Sequence, residues 1–399
     1  MKIGFLHPDL GIGGAERLVC DCALALKDEG HDVTIVTAHH EPTHCFPETV
    51  DGRIPVKVYG DWMPRHILRR LYAFFAYLRM IYCAIVMCIF HKYDLIIVDQ
   101  VSIPVPLLKW KFKKVIFYCH FPDKLLCTNR SFIKRIYRAP LDWLEEKTTG
   151  AANVILVNSE FTLQTFKKHF PSITKEPKVL YPTFFIDTEA VQTADTSVLD
   201  AELLEPDTPI LLSINRFERK KNIMLALEAF NSVADTYPRA KLVLAGGYDV
   251  RVHENVEVHA ELVEKTKEYD LEDRVFFYKS FSNEAKNALL KTAHILIYTP
   301  DNEHFGIVPL EAMASGVPVL AANTGGPLET VHPMKTGLLS DTDVETFSRS
   351  LDTLMSMFSN ENIYKEFAFS CVERVQNLFS FESFQERLAT EVDELYSLE

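Results

Sequence analysis

The stretch Asp301–Gly316, DNEHFGIVPLEAMASG, constrains the fold more than any other part of the chain. His294-Ile295-Leu296-Ile297-Tyr298 precedes it, and Val317-Pro318-Val319-Leu320 follows it. Short apolar runs of this kind read as strands buried on both faces. The residues between them fit a short helix. Pro309 suits its first turn, where the N–H has no helical partner anyway, and Gly316 suits the left-handed residue just past its end. Strand, helix, strand in succession implies a parallel sheet with a right-handed crossover. The pattern puts Glu303 just before the helix and Glu311 inside its first turn. The amides of Phe305, Gly306 and Ile307 fall at the helix mouth, where unpaired N–H groups and the dipole favour an anion or sugar hydroxyls. Two acceptor-only carboxylates flanking such donors can grip a polyol. The plainer alternative is a pair of solvated Glu on an ordinary αβ unit.

The chain opens with the same architecture. Lys2-Ile3-Gly4-Phe5-Leu6 leads into Gly11-Ile12-Gly13-Gly14-Ala15-Glu16, then a helix to Gly30, then Val33-Thr34-Ile35-Val36. The loop partly mimics a dinucleotide fingerprint. Glu16 replaces its third small residue, and Thr37-Ala38-His39-His40 offers no carboxylate for a ribose, which argues against a dehydrogenase. Gly13 and Gly14 let backbone approach a diphosphate closely, or simply turn the chain. His120 follows the strand Val115–Tyr118 at its carboxyl end, where open α/β sheets place ligands. It is a ligand candidate or a structural histidine. Asp123 is a second candidate there, its alternative being a cap on the next helix.

A second Rossmann-like segment opens with Ile210-Leu211-Leu212-Ser213-Ile214. Asn215-Arg216-Phe217-Glu218-Arg219-Lys220-Lys221-Asn222 follows, with Asn222 expected to cap the next helix. Cations at a helix mouth oppose the dipole. A diphosphate would resolve that conflict, with Arg216 forking onto its oxygens and Lys221 as a point charge. The alternative is a solvated basic turn. Gly246 and Gly247 end the next strand, and Asn323–Pro327 is expected to close the pocket beside Glu303 and Glu311. Asp341-Thr342-Asp343 stands just before a helical pattern and reads as a cap rather than a metal site, so no obligatory metal is expected.

A chain of 399 residues suggests two domains. The expected division is residues 1–185, an acidic irregular linker from Phe185 or residue 186 to residue 208, and residues 209–379, with a helix over 380–399 returning to the first domain. A formal charge of −13 argues against a general nucleic-acid binder. Between Asp61 and Pro140, however, fourteen Lys/Arg stand against four Asp and no Glu, a local +10, leaving −23 for the remainder. Such asymmetry suggests a face that meets something anionic. Within it, Leu71–Phe90 carries one charge, Arg79. It is long enough to span a bilayer, at a cost of roughly 2.5–3.5 kcal/mol for the arginine. A crossover between strands of one sheet must return to the same side. The expectation is therefore a helix lying on or dipping into a membrane, flanked by Arg65, Arg69 and Arg70, or else a buried crossover helix. The eight cysteines show no disulfide or zinc spacing and read as reduced. No secretory signal precedes the first strand.

Glu, seven residues, Glu, with Phe-Gly just inside the first Glu, resembles the signature of retaining GT-B glycosyltransferases of family four, and the resemblance extends along nearly the whole chain. His120-Phe121-Pro122-Asp123, Leu144–Gly150 and Val157-Asn158-Ser159 carry a closer similarity to the mannosyltransferases that add the second and third mannoses to the dolichol-linked oligosaccharide. The resemblance implies two Rossmann-like domains facing across a cleft, GDP-mannose as donor and a lipid-linked oligosaccharide as acceptor. It implies α1,3 then α1,6 transfer on the cytosolic face of the endoplasmic reticulum, with other enzymes of the same pathway as possible partners. Arg216 and Lys221 would hold the diphosphate, Gly13, Gly14 and Gly246 would border the donor, and Glu303 with Phe305–Ile307 would position the mannose. Glu311 would take the ribose, His120 would contact the sugar or shape the acceptor site, and Asp123 would serve the acceptor. Three rivals remain: a relative using another nucleotide sugar and lipid, a non-catalytic scaffold, and a sugar epimerase whose acid–base groups are not identifiable.

Overall fold

The computed structural model describes residues 1–66, 71–126, 132–183 and 187–397. Arg69, Arg70 and Phe185 lie outside the described residues. The chain divides into two compact units, Met1–Thr183 with Phe381–Glu399, and Phe184–Ser380.

Unit 1 runs β1 (Lys2–His7), α1 (Gly14–Asp28), β2 (Asp32–Thr37), β3 (Val56–Val58), α2 (Tyr72–Phe90), β4 (Leu95–Asp99), α3 (Val105–Phe112), β5 (Val115–Cys119), α4 (Asp123–Leu126), α5 (Phe132–Gly150), β6 (Val154–Val157), α6 (Glu160–His169) and β7 (Lys178–Val179). Its sheet order is β3-β2-β1-β4-β5-β6-β7, with parallel pairing. Unit 2 runs α7 (Thr188–Gln192), β8 (Ile210–Ile214), α8 (Ile223–Ala234), β9 (Lys241–Gly246), α9 (His253–Glu268), β10 (Val275–Lys279), α10 (Asn283–Thr292), β11 (Ile295–Tyr298), α11 (Ile307–Ala314), β12 (Val319–Ala322), α12 (Pro327–Thr330), β13 (Gly337–Ser340), α13 (Val344–Phe358) and α14 (Glu361–Phe379). Its parallel sheet is ordered β10-β9-β8-β11-β12-β13. The last helix, α15 (Phe381–Ser397), belongs to unit 1.

Strands β4, β5, β8 and β9 are buried along their whole length, which explains their largely apolar sequence. In unit 1, Leu18, Cys22 and Leu26 of α1 share one core with Phe384, Leu388 and Val392 of α15. Met80, Cys83 and Met87 of α2 form the other with Leu108 of α3 and Phe166 of α6. In unit 2, Phe230 of α8 and Phe347 and Leu351 of α13 cover one face of the sheet.

The stretch expected to be a linker is folded onto unit 2. Val191 on α7, Leu199 and Leu203 are buried, Tyr278 donates its hydroxyl to Asp200 at 2.7 Å, and Lys291 donates to the Ala194 carbonyl at 2.9 Å.

Helix α2 presents two faces. Met80, Cys83, Ala84 and Met87 are buried, whereas Leu71, Phe74, Leu78, Ile85, Ile89 and Phe90 are exposed. Arg79 lies on the buried side. It donates to the Ala38 carbonyl at 2.9 Å and stands 3.4 Å from Asp9, so the protein supplies its charge with a partner. Among the described residues, α2 is the one helix long and apolar enough to cross a membrane, with 33% of its most apolar window buried.

Candidate active site

In unit 2 the candidates gather around the start of α11. Gly306 holds φ +84°, and a Cβ there would meet the Tyr298 ring at 3.3 Å. Gly325, at φ +64°, lies against the Glu303 backbone, where a Cβ would come within 2.3 Å of its carbonyl oxygen. Gly326 donates its N–H to that carbonyl at 2.7 Å. The Asn323–Pro327 loop therefore does border the Glu303 element. Phe305 is buried against Phe379, ring centroids 5.8 Å apart, and anchors the turn. The N–H groups of Ile307 and Val308 have no carbonyl one turn earlier in the helix.

Lys221 forms an ion pair with Glu303, and the hydroxyl of Thr299 holds the Lys221 carbonyl at 2.8 Å. Burial raises the Glu303 pKa, but Lys221 outweighs it and leaves the carboxyl below its ordinary value. Glu311 is the fifth residue of α11, one residue past the first turn where it was expected. Its carboxylate accepts from Lys286 of α10 at 3.0 Å. The sequence reading did not single out Lys286, and nothing in its local pattern marks it.

The four cations before α8 disperse. Lys221 meets Glu303, Arg219 reaches Glu257 and Glu261 on α9, and Arg216 and Lys220 pair with Glu218 at 2.9 and 3.2 Å. Arg216 is exposed and borders an open pocket of about 650 Å³ with Gly247, Tyr248, Arg251 and Ser280. Asn222 occupies the cap position but adopts a left-handed conformation and makes no side-chain cap. Gly246 has a structural reason: a Cβ would fall 1.7 Å from the Asn215 carbonyl oxygen. Asp343 caps α13, accepting from the Thr346 N–H at 2.9 Å.

In unit 1, Gly13 precedes α1 in an extended conformation, and a Cβ there would strike the Glu16 carboxylate at 2.3 Å. Gly14 has open space around it. Asp123 does not cap α4. It is the first helical residue and accepts from Arg138 at 2.8 Å. Glu145 caps α4 instead, accepting from the N–H groups of Asp123 and Lys124 at 2.7 and 3.1 Å. Burial, then the Asp123 charge, pushes the Glu145 carboxyl up to about 7 against those two donors.

His120 is not alone at its strand end. Its Nε2 lies 2.8 Å from Oδ2 of Asp99, and Nδ1 of His7 lies 2.6 Å from Oδ1 of the same carboxylate. His7 ends β1, Asp99 ends β4 and His120 follows β5, three neighbouring strands. A polar residue closing each of three apolar strands was the available signal. Burial pushes His7 down, but the Asp99 carboxylate overcomes it and raises the ring to about 10. Burial likewise opposes the charge of Asp99, which His7 and His120 hold below its ordinary value.

Two parallel sheets joined in this order define the GT-B glycosyltransferase fold, and solved structures match it end to end. A sucrose-phosphate synthase from Thermosynechococcus elongatus superposes with a TM-score of 0.73 at 21% identity, covering 100% of both chains. Anabaena HepE in complex with UDP gives 0.73 at 18%, covering 99% of this chain and 100% of that one. The family models "Glycosyltransferase Family 4" and "Glycosyl transferases group 1" match residues 12–186 and 196–369. The chain belongs to this glycosyltransferase family. Among its relatives, the α-1,3/1,6-mannosyltransferase ALG2 of Rhizomucor pusillus is 44% identical over 99% of this chain and 92% of its own length. The Dictyostelium discoideum and Homo sapiens proteins of the same name are each 44% identical, over 99% and 98% of this chain and 98% and 95% of their own.

Proposed function

We propose that the chain is a retaining mannosyltransferase. It moves mannose from GDP-mannose to a mannosylated chitobiosyl diphosphate dolichol, first through an α1,3 and then an α1,6 linkage. The observation that carries this reading is the Lys221–Glu303 pair at the mouth of α11. An arriving diphosphate takes the ammonium from Glu303 and releases that carboxylate to sugar hydroxyls. Arg216 swings from Glu218 onto the phosphate oxygens, and the first amides of α11 add their dipoles. Charge developing on the leaving diphosphate is thus stabilised electrostatically. Glu311, held by Lys286, takes the ribose hydroxyls. These cations supply the countercharge, so the reading calls for no obligatory metal, and activity in excess chelator tests that point.

The acceptor is a lipid, and the exposed apolar stripe of α2 supports membrane docking through residues 61–140. Trp110, on α3 between Lys109 and Lys111, is 79% exposed and suits the headgroup layer. The reading places the enzyme on the cytosolic face of the endoplasmic reticulum, beside other enzymes of the same assembly line. The test incubates the purified chain with a short-chain lipid acceptor and a panel of nucleotide sugars, then weighs the products. Two successive hexose additions from GDP-mannose alone are expected. Addition from another nucleotide sugar, or none, overturns the reading.

A further inference from the structure

Asp99 is a carboxylate and only accepts hydrogen bonds, yet it touches a ring nitrogen of each of two histidines. Nδ1 of His7 and Nε2 of His120 must therefore both carry protons. The other nitrogen of His7, Nε2, lies 3.0 Å from the Asp9 carbonyl oxygen, a second group that only accepts. Both His7 nitrogens donate, so the fully buried ring is an imidazolium.

We infer that His7 and Asp99 are positioning residues for the proposed transfer: together they lock His120 with its proton on Nε2 and its lone pair on Nδ1. This inference rests on the mannosyltransferase reading. The charges of His7 and Asp99 cancel. His120 gains a fixed orientation, and its Nδ1 lone pair can accept a hydrogen bond from a sugar hydroxyl. The other titratable groups facing the array are Glu16, 3.8 Å from His7, and Tyr118 and Cys22, both held neutral by burial. Glu16 covers Gly13, so the array is tied to the glycine loop as well.

The test has two arms. In the first, the intact wild-type protein is labelled with ¹⁵N-histidine and its ring nitrogens are followed by NMR, with His7→Gln and His120→Asn used for assignment. At pH 8 His7 should show two protonated nitrogens, and His120 one, at Nε2. A His7 ring that is neutral at pH 8, or a His120 proton on Nδ1, overturns the inference. The second arm measures kcat and the donor KM separately. His7→Gln keeps a donor to Asp99 but removes the positive charge, and should lower kcat at least threefold with the donor KM within twofold. Asp99→Asn should lower kcat at least tenfold and also leave the donor KM within twofold. Folded variants with the wild-type kcat overturn the inference. Absence of mannose transfer by the wild type defeats the functional reading, while the NMR arm still decides the tautomers.

Discussion

The two sets of candidate groups differ in how they are held. In unit 2 they ride on loops and at a helix start, and each charge faces a replaceable partner: Lys221 with Glu303, Lys286 with Glu311, Arg216 with Glu218. In unit 1, His7 and Asp99 are almost wholly buried and fix the partly exposed His120 from behind. The Arg216 side chain is well exposed, and exposed ion pairs contribute only roughly 0–1 kcal/mol; the other two pairs are partly buried but keep some contact with solvent, so a bound anion can still exchange for a partner. Removing one partner from a buried pair costs about 3–5 kcal/mol. One set is built to exchange partners, the other to keep them.

The largest effect should come from the exchangeable set, where chemistry rather than folding depends on the pairs. Lys221→Ala and Glu303→Ala should each lower kcat by about 10²–10³-fold, the scale of a lost transition-state donor. Thermal melting should stay within a few degrees of wild type. Near wild-type transfer by Lys221→Ala would show that the diphosphate is held elsewhere.

The buried set should reveal itself in stability instead. The His7 pKa is raised in the folded protein above its unfolded value of 6.5. Its contribution is therefore fully present below about pH 6.5 and lost as pH rises through about 10, on the order of a few kcal/mol. Melting temperature followed from pH 6.5 to 10 should fall, and fall less in His7→Gln. Equal slopes in the two proteins would count against a buried imidazolium.

Glu311 sharpens the contrast within unit 2. Glu311→Ala should raise the donor KM about tenfold for both transfers equally, the pattern of a lost ground-state contact. Lys286→Ala should do the same more weakly, through a loosened Glu311. Loss of one linkage alone would point to a second donor site.

The same contrast explains what the sequence made legible. Glu303 and Lys221 stand just before helices and Arg216 in the loop ahead of one, where local chemistry already points away from a bland role, and Glu311 stood out by its spacing from Glu303. The alternating strands and helices of both units were equally plain, because buried parallel strands are continuous apolar runs. His7 and Asp99 were not legible. Each looks like the polar end of a strand, and only the order β1-β4-β5 places them side by side. The mouth of α11 was legible as well: Gly306 precedes it, Ile307 opens it and Pro309 lies in its first turn, and only Glu311 falls one residue beyond the expected place. Asn222 was assigned a capping bond, but its left-handed backbone is what the turn uses.

The smallest effect should be at the lipid surface, where α2 buries one face and exposes the other. Of the residues at helical spacing, Leu71, Phe74 and Leu78 are exposed, while Phe75 and Ile81 are half-buried. The stripe continues instead through Ile85 and Ile89. With Arg79 turned into unit 1, nothing charged interrupts that stripe. A helix bound to its own sheet by one face can lie in a membrane interface by the other. Basic residues near an anionic surface contribute on the order of 1 kcal/mol each and weaken with salt, whereas apolar insertion does not. Liposome flotation should therefore separate two classes of variant. Arg65, Lys111 and Lys113 changed to Glu should reduce flotation at low salt and matter little at high salt. Phe74, Leu78 and Ile85 changed to Ser should reduce it at both. Equal flotation of all three proteins, or of none, would leave α2 as a crossover helix whose outer face meets something other than lipid.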